Sequence, residues 1–104
     1  MKISTYHDDL IHDLQDPEFA LEYLNACLKG GDEGTFLLGL RYVAEANGGV
    51  RTLARKTHLS REHLFKMLSK NGNPRFESLK LLADAFGWRL AFVRKEKARM
   101  KKAA

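Results

Sequence analysis

The stretch THLSREHLFKML, residues 57–68, sets Leu64, Met67 and Leu68 at the three- and four-residue spacing that buries one side of a helix. Arg61, Glu62, Lys66 and the aromatic Phe65 fall on the other side, so a helix built here exposes a charged face with a phenyl ring in it. Just upstream, VRTLARKT offers only two turns before HLS, and helices that short are marginal alone in water. They must be held by packing on each other and on flanking helices. Two short helices that cross closely need a small residue at the crossing, a turn residue tolerant of positive φ, and an apolar plug. Ala54, His58 and Leu59 stand at those places. Ser60 can cap the second helix by accepting from the amide of Glu62 or His63, and Leu53 completes the shared core.

Further out, the pattern stays helical. Asp16-Pro17 reads as a helix start, since Asp caps free amides and Pro at the first helical position loses nothing. EFALEYLNACL then repeats apolar residues at Phe19 or Ala20, Tyr23 or Leu24, and Cys27 or Leu28, until Gly30-Gly31 stops it. Before it, HDDLIHDL fits a short helix or a turn. Asp32 caps EGTFLLGLRYVAEAN, whose Phe36, Leu37, Leu40, Val43 and Ala44 form a stripe wide enough for a central core helix. After the loop KNGNPR, FESLKLLADAF turns Phe76, Leu79, Leu82 or Ala83, and Phe86 inward, with Gly87 as the stop. WRLAFV, residues 88–93, alternates and is rich in strand formers, which predicts one short C-terminal β-strand. A lone strand needs a partner, either KISTY near the N-terminus or the same strand of a second subunit. The expected class is therefore all-α: a bundle with N-terminal helices and that one strand.

A chain of 104 residues is one domain by its length and can bury roughly two-thirds of its unfolded surface. With 44% hydrophobic and 30% charged residues it has a globular composition. The single Cys27 cannot form an internal disulfide and points inward, which predicts a reduced, cytoplasmic setting. No apolar run reaches signal-peptide length or the roughly 18 residues of a membrane span, so no membrane partner is expected. Net charge is +5, and its distribution is polarised: residues 1–33 carry −6 and the remaining 71 carry +11. One end repels phosphate and the other attracts it.

Residues 50–93 resemble the lambda-repressor-like (Xre-type) helix-turn-helix domain, with Ala54, Leu59 and Leu64 on its small, plug and core positions. His58 departs from the usual Gly of the turn, at a modest strain. GGVRTLARKTHLSREHLFKMLSKNGNPRFESLKLLADAFGWRLAF, preceded by DPEFALEYLNACL, resembles the addiction-module antidote proteins, small antitoxins related to the HigA group. The resemblance implies a single domain over 1–104, with an acidic helical segment at 1–31, a DNA-binding part at 32–93 and a basic tail at 94–104. In such domains the second helix enters the major groove with its N-terminal residues at base edges. Arg61 is then suited to pair bidentately with a guanine, Glu62 to accept from a cytosine amino group, and Phe65 to press on a thymine methyl. Arg51, Lys66, Lys70 and Arg75 are expected phosphate anchors, and Ser60, Ser69 and Asn73 complete the candidate DNA contacts. One short helix reads few base pairs, so a homodimer on a palindromic double-stranded operator is expected, with half-sites roughly 34 Å apart. The resemblance further implies a RelE/ParE-like partner, a small basic toxin, and repression of a shared promoter. The acidic N-terminal third would suit such a toxin by charge.

Two other readings fit the same residues: a prophage-type repressor with no toxin partner, and a helix-turn-helix scaffold that binds protein. The charged helix face can also be merely solvated, with Glu62 pairing to Lys66 along it. His7 and His12 lie about 140° apart on a helix, which argues against a metal site. No convergent acid, base or nucleophile set predicts an enzyme, and no cofactor is expected.

Overall fold

Four of the helix starts are set by a side chain. In the computed structural model, which describes residues 5–95, Thr5 opens α1 (Tyr6–Asp13) with a reciprocal capping box. Its hydroxyl accepts from the Asp8 amide at 3.0 Å, and the Asp8 carboxylate accepts from the Thr5 amide at 3.4 Å. Asp16 accepts from the Glu18 amide at 3.0 Å to open α2 (Pro17–Lys29), with Pro17 at its first position. Asp32 opens α3 (Glu33–Ala46) by accepting from the Gly34 amide at 3.0 Å and the Thr35 hydroxyl at 2.8 Å. The Thr35 hydroxyl, then the Thr35 amide and after it the Gly34 amide hold its carboxyl below the usual Asp range. Then come α4 (Gly49–Thr57), α5 (Arg61–Met67), which Ser60 caps, and α6 (Phe76–Ala85).

The central stripe foreseen for α3 is the hub of the core. Leu37, Leu40, Val43 and Ala44 are buried on it, and α3 packs against α1, α2 and α4; α4 in turn packs against α5 and α6. Leu14, Ala20 and Leu24 enter from the acidic end, and Leu53, Leu64, Met67, Leu68 and Leu82 from the basic end, making one apolar cluster. Fully burying one such side chain contributes roughly 1.5–3 kcal/mol. Asn47 ties the ends of α1 and α3, its amide donating to the Val43 carbonyl at 2.7 Å and the Leu14 carbonyl at 3.4 Å. His7 adds a second tie, 3.2 Å from the Glu45 carboxylate and edge-on to the Tyr42 ring.

The described residues are all-α, and here the expected C-terminal strand is corrected. No strand occurs among them: the Trp88 amide donates to the Ala83 carbonyl at 2.8 Å, and residues 89–95 continue without a ladder partner. Of the N-terminal partner suggested for that strand, Thr5 and Tyr6 belong to the start of α1, and residues 1–4 lie outside the described residues. The tail expected at 94–104 also lies outside them beyond Lys95. Two packing expectations change as well. Phe76 is 66% exposed, because as the first residue of α6 it projects beyond the core, with the Lys80 ammonium 5.7 Å from its ring. On α2 the inward positions are Ala20 and Leu24, leaving Leu28 exposed and Cys27 half-buried. Burial raises the Cys27 thiol pKa, an effect the neighbouring Tyr23 hydroxyl partly offsets. No helix among the described residues is long and apolar enough to cross a membrane.

Candidate nucleic-acid interface

The turn between α4 and α5 is held by hydrogen bonds of Thr57, His58 and Ser60. Thr57, buried at the end of α4, donates its hydroxyl to the Leu53 carbonyl at 2.8 Å and accepts from the Leu59 amide at 3.2 Å. His58 sits in the left-handed region at φ 63° and ψ 19°, the conformation its place demanded, and its amide donates to the Ala54 carbonyl at 2.8 Å. Ser60 then accepts from the His63 amide at 3.0 Å, one of the two donors the sequence offered. Leu59 is half-buried against the core, as a plug should be.

With its start so held, α5 presses Leu64, Met67 and Leu68 into the core, leaving no accessible surface on Leu64 or Leu68. Its other side exposes Arg61, Glu62, His63, Phe65 and Lys66, so the two faces divide as the spacing predicted. Phe65 is 45% exposed, and the Arg41 guanidinium of α3 lies 4.9 Å from its ring centroid. A contact of that kind contributes about 0.5–1 kcal/mol at an exposed site and fixes the ring. Arg41 went unnoticed in the sequence. Its signal was a lone cation inside the apolar run FLLGLRYVA.

The remaining candidates flank α5. Ser69 is half-buried, and its hydroxyl donates to the Lys66 carbonyl at 2.9 Å, closing the C-terminal turn. Lys70 follows, exposed, with its backbone against the start of α3: a Cβ built on Gly34 would lie 2.6 Å from the Lys70 carbonyl oxygen. The same loop folds so tightly that a Cβ on Gly72 would collide with the Met67 carbonyl oxygen. Asn73 is exposed in that loop, and Arg75 precedes α6 without a side-chain cap. Arg51 is exposed on α4, with Arg55 and Lys56 exposed further along the same helix. Among the described residues no group of three or more His, Cys, Asp or Glu side chains is arranged to hold a metal.

A family model described as "Probable addiction module antidote protein" matches residues 4–94. The chain belongs to that antidote family. No curated protein and no solved structure matches it significantly. The match spans both ends of the antidote, the acidic helices and the basic ones, and does not stop at the α4–α5 unit. An antidote of an addiction module implies a toxin as its partner, and such families are not typically enzymatic.

Proposed function

We propose that the chain is a cytoplasmic antitoxin that binds DNA sequence-specifically through a lambda-repressor-like helix-turn-helix, α4–α5, and represses its own operon. The observation that carries this reading is the exposed face of α5, where Arg61, Glu62, Phe65 and Lys66 stand on a helix anchored by buried Leu64, Met67 and Leu68. A +11 field surrounds it beyond residue 33. Arg61, Glu62 and Phe65 read base edges, with Arg41 steadying the Phe65 ring; Arg51, Lys66, Lys70 and Arg75 hold phosphates, and Ser60, Ser69 and Asn73 complete the contacts. Residues 1–104 act as one unit, related to the HigA group, and bind a palindrome as a homodimer. Selection from a random DNA pool should enrich such a palindrome. Arg61→Ala should then flatten preference among sequences, whereas Lys70→Ala should weaken all of them alike and reduce the salt slope by about one. Identical behaviour of the two variants would refute the division into reader and anchor.

The toxin in this reading is a small basic RelE/ParE-like protein docking on the acidic α1–α2 face. Removing residues 1–31 is an unsuitable test because Leu14, Ala20 and Leu24 belong to the core. Charge reversal of exposed Asp13 and Glu22 to Lys leaves that core intact. It should weaken toxin capture while sparing DNA binding, and unchanged toxin affinity would refute the docking site.

A further inference from the structure

We propose that residues 88–94 pair antiparallel with the same residues of a second copy of this chain, about a twofold axis at Ala91. The proposal deepens the homodimer of the operator reading by naming its interface, and it is tested without DNA.

Beyond Trp88 the described backbone has no partner. None of residues 89–95 makes a backbone hydrogen bond among the described residues, and Leu90, Phe92 and Val93 are exposed, Phe92 completely. Along an extended segment alternate residues share a face, so Trp88, Leu90, Phe92 and Arg94 form one side and Arg89, Ala91, Val93 and Lys95 the other. The first side continues into an open groove of about 360 Å³ whose apolar lining, Phe76, Leu81, Trp88 and Leu90, is edged by the charged Lys80, Asp84 and Arg89. An apolar strand face with an unused ladder edge is a template for pairing with another chain.

Charge bears on the occupant and the register. The segment carries Arg89, Arg94 and Lys95 with no acid between them, which disfavours a basic toxin and admits a second copy only where the cations of the two strands are kept apart. A parallel copy would set Arg89 against Arg89 and Arg94 against Arg94, and like charges directly opposite are destabilising. An antiparallel copy centred on Ala91 instead sets Arg89 across from Val93, Leu90 from Phe92, and Trp88 from Arg94, a cation on an aromatic face. Sliding the centre toward Phe92 by half a residue or a whole one brings Arg89 opposite Arg94 or Lys95. Centres nearer Leu90 avoid those clashes too, but only the register at Ala91 sets Trp88 across from Arg94 and places the smallest side chain of the segment on the axis.

The test is disulfide trapping in the full chain carrying Cys27→Ala, with Ala91→Cys compared to Val93→Cys under mild oxidation. Ala91→Cys meets its own copy and should give a covalent dimer. Val93→Cys faces residue 89, its own copy lying roughly 13 Å further along the strand, and should cross-link at least tenfold less. In sedimentation the unmodified chain should have twice the 11.9 kDa chain mass, and Phe92→Lys, which alters a fully exposed side chain, should return it to monomer. A monomeric chain, equal trapping at both positions, or a dimer that survives Phe92→Lys without Ala91→Cys trapping would each overturn the proposal. The last of these leaves operator binding intact, and a trapped dimer that selects no DNA refutes the operator reading alone.

Discussion

Thr57→Val is the sharpest perturbation of the α4–α5 turn, because valine keeps the shape of threonine and removes only its hydroxyl. That hydroxyl is buried, donates to the Leu53 carbonyl at 2.8 Å and accepts from the Leu59 amide at 3.2 Å. The Leu59 amide has no other hydrogen bond among the described residues, and Leu59 is half-buried. A buried donor left unmatched costs about 1–3 kcal/mol, and the lost bond to Leu53 adds roughly 0.5–1 kcal/mol. The variant should therefore lose about 2–3 kcal/mol in urea unfolding, each kcal/mol lowering Tm by roughly 4–8 °C in a domain of this size. Thr57→Ser keeps both hydrogen bonds, loses one buried methyl, and should cost only about 1 kcal/mol. Amide exchange at Leu59 separates the two causes: its protection should collapse in Thr57→Val and persist in Thr57→Ser. If Thr57→Val stays within 0.5 kcal/mol of the wild type and Leu59 remains protected, the hydroxyl does not hold the turn.

Gly72→Ala should destabilise by more than about 2 kcal/mol in the same unfolding assay, since the added carbon meets backbone at the Met67 carbonyl and must move the loop. Asp32 titrates below the usual Asp range, so its contribution is present above the unfolded-state pKa and fades as pH falls through the lower folded-state value. Asp32→Asn, which can still cap α3, should accordingly narrow its stability gap to the wild type as pH is lowered through that window; a gap independent of pH would contradict the assignment. Burial raises the Cys27 pKa, which suppresses the reactive thiolate. Alkylation at pH 7 should be slower than for an unfolded control, and equal rates would contradict that picture.

The parts legible in the sequence are those governed by neighbours a few residues away. Asp16, Asp32 and Ser60 act as caps because a cap reaches only to the next turn, and His58 takes positive φ because the chain must reverse there. The buried and exposed faces of α5 follow from periodicity alone. Illegible parts depend on distant contacts. Arg41 meets Phe65 across 24 positions, and no spacing rule joins them. Phe76 fits the helical stripe of α6 yet lies one turn beyond the reach of the core. The strand foreseen at 88–93 has the right alternation, but alternation specifies faces and not a partner, and the described part of this chain contains none.

The two charged ends of the molecule meet on α3, which determines how one could influence the other. Exposed charges separated by more than about 8 Å are largely screened at physiological salt. A signal passing from the acidic helices to α5 must therefore travel by contact. Among the contacts of α3 are Glu45 with His7 of α1, Arg41 over Phe65 of α5, and Gly34 against the Lys70 backbone just after α5. The first joins two half-exposed side chains that can part at little cost. The last allows no added carbon, so a displacement of the α3 start toward it pushes on the Lys70 loop. A partner that shifts α3 by docking on α1–α2 would therefore act first on the loop carrying Lys70 and Asn73, and on the Arg61 end of α5 only afterwards. In the operator reading, toxin docking should accordingly change overall DNA affinity more than sequence preference.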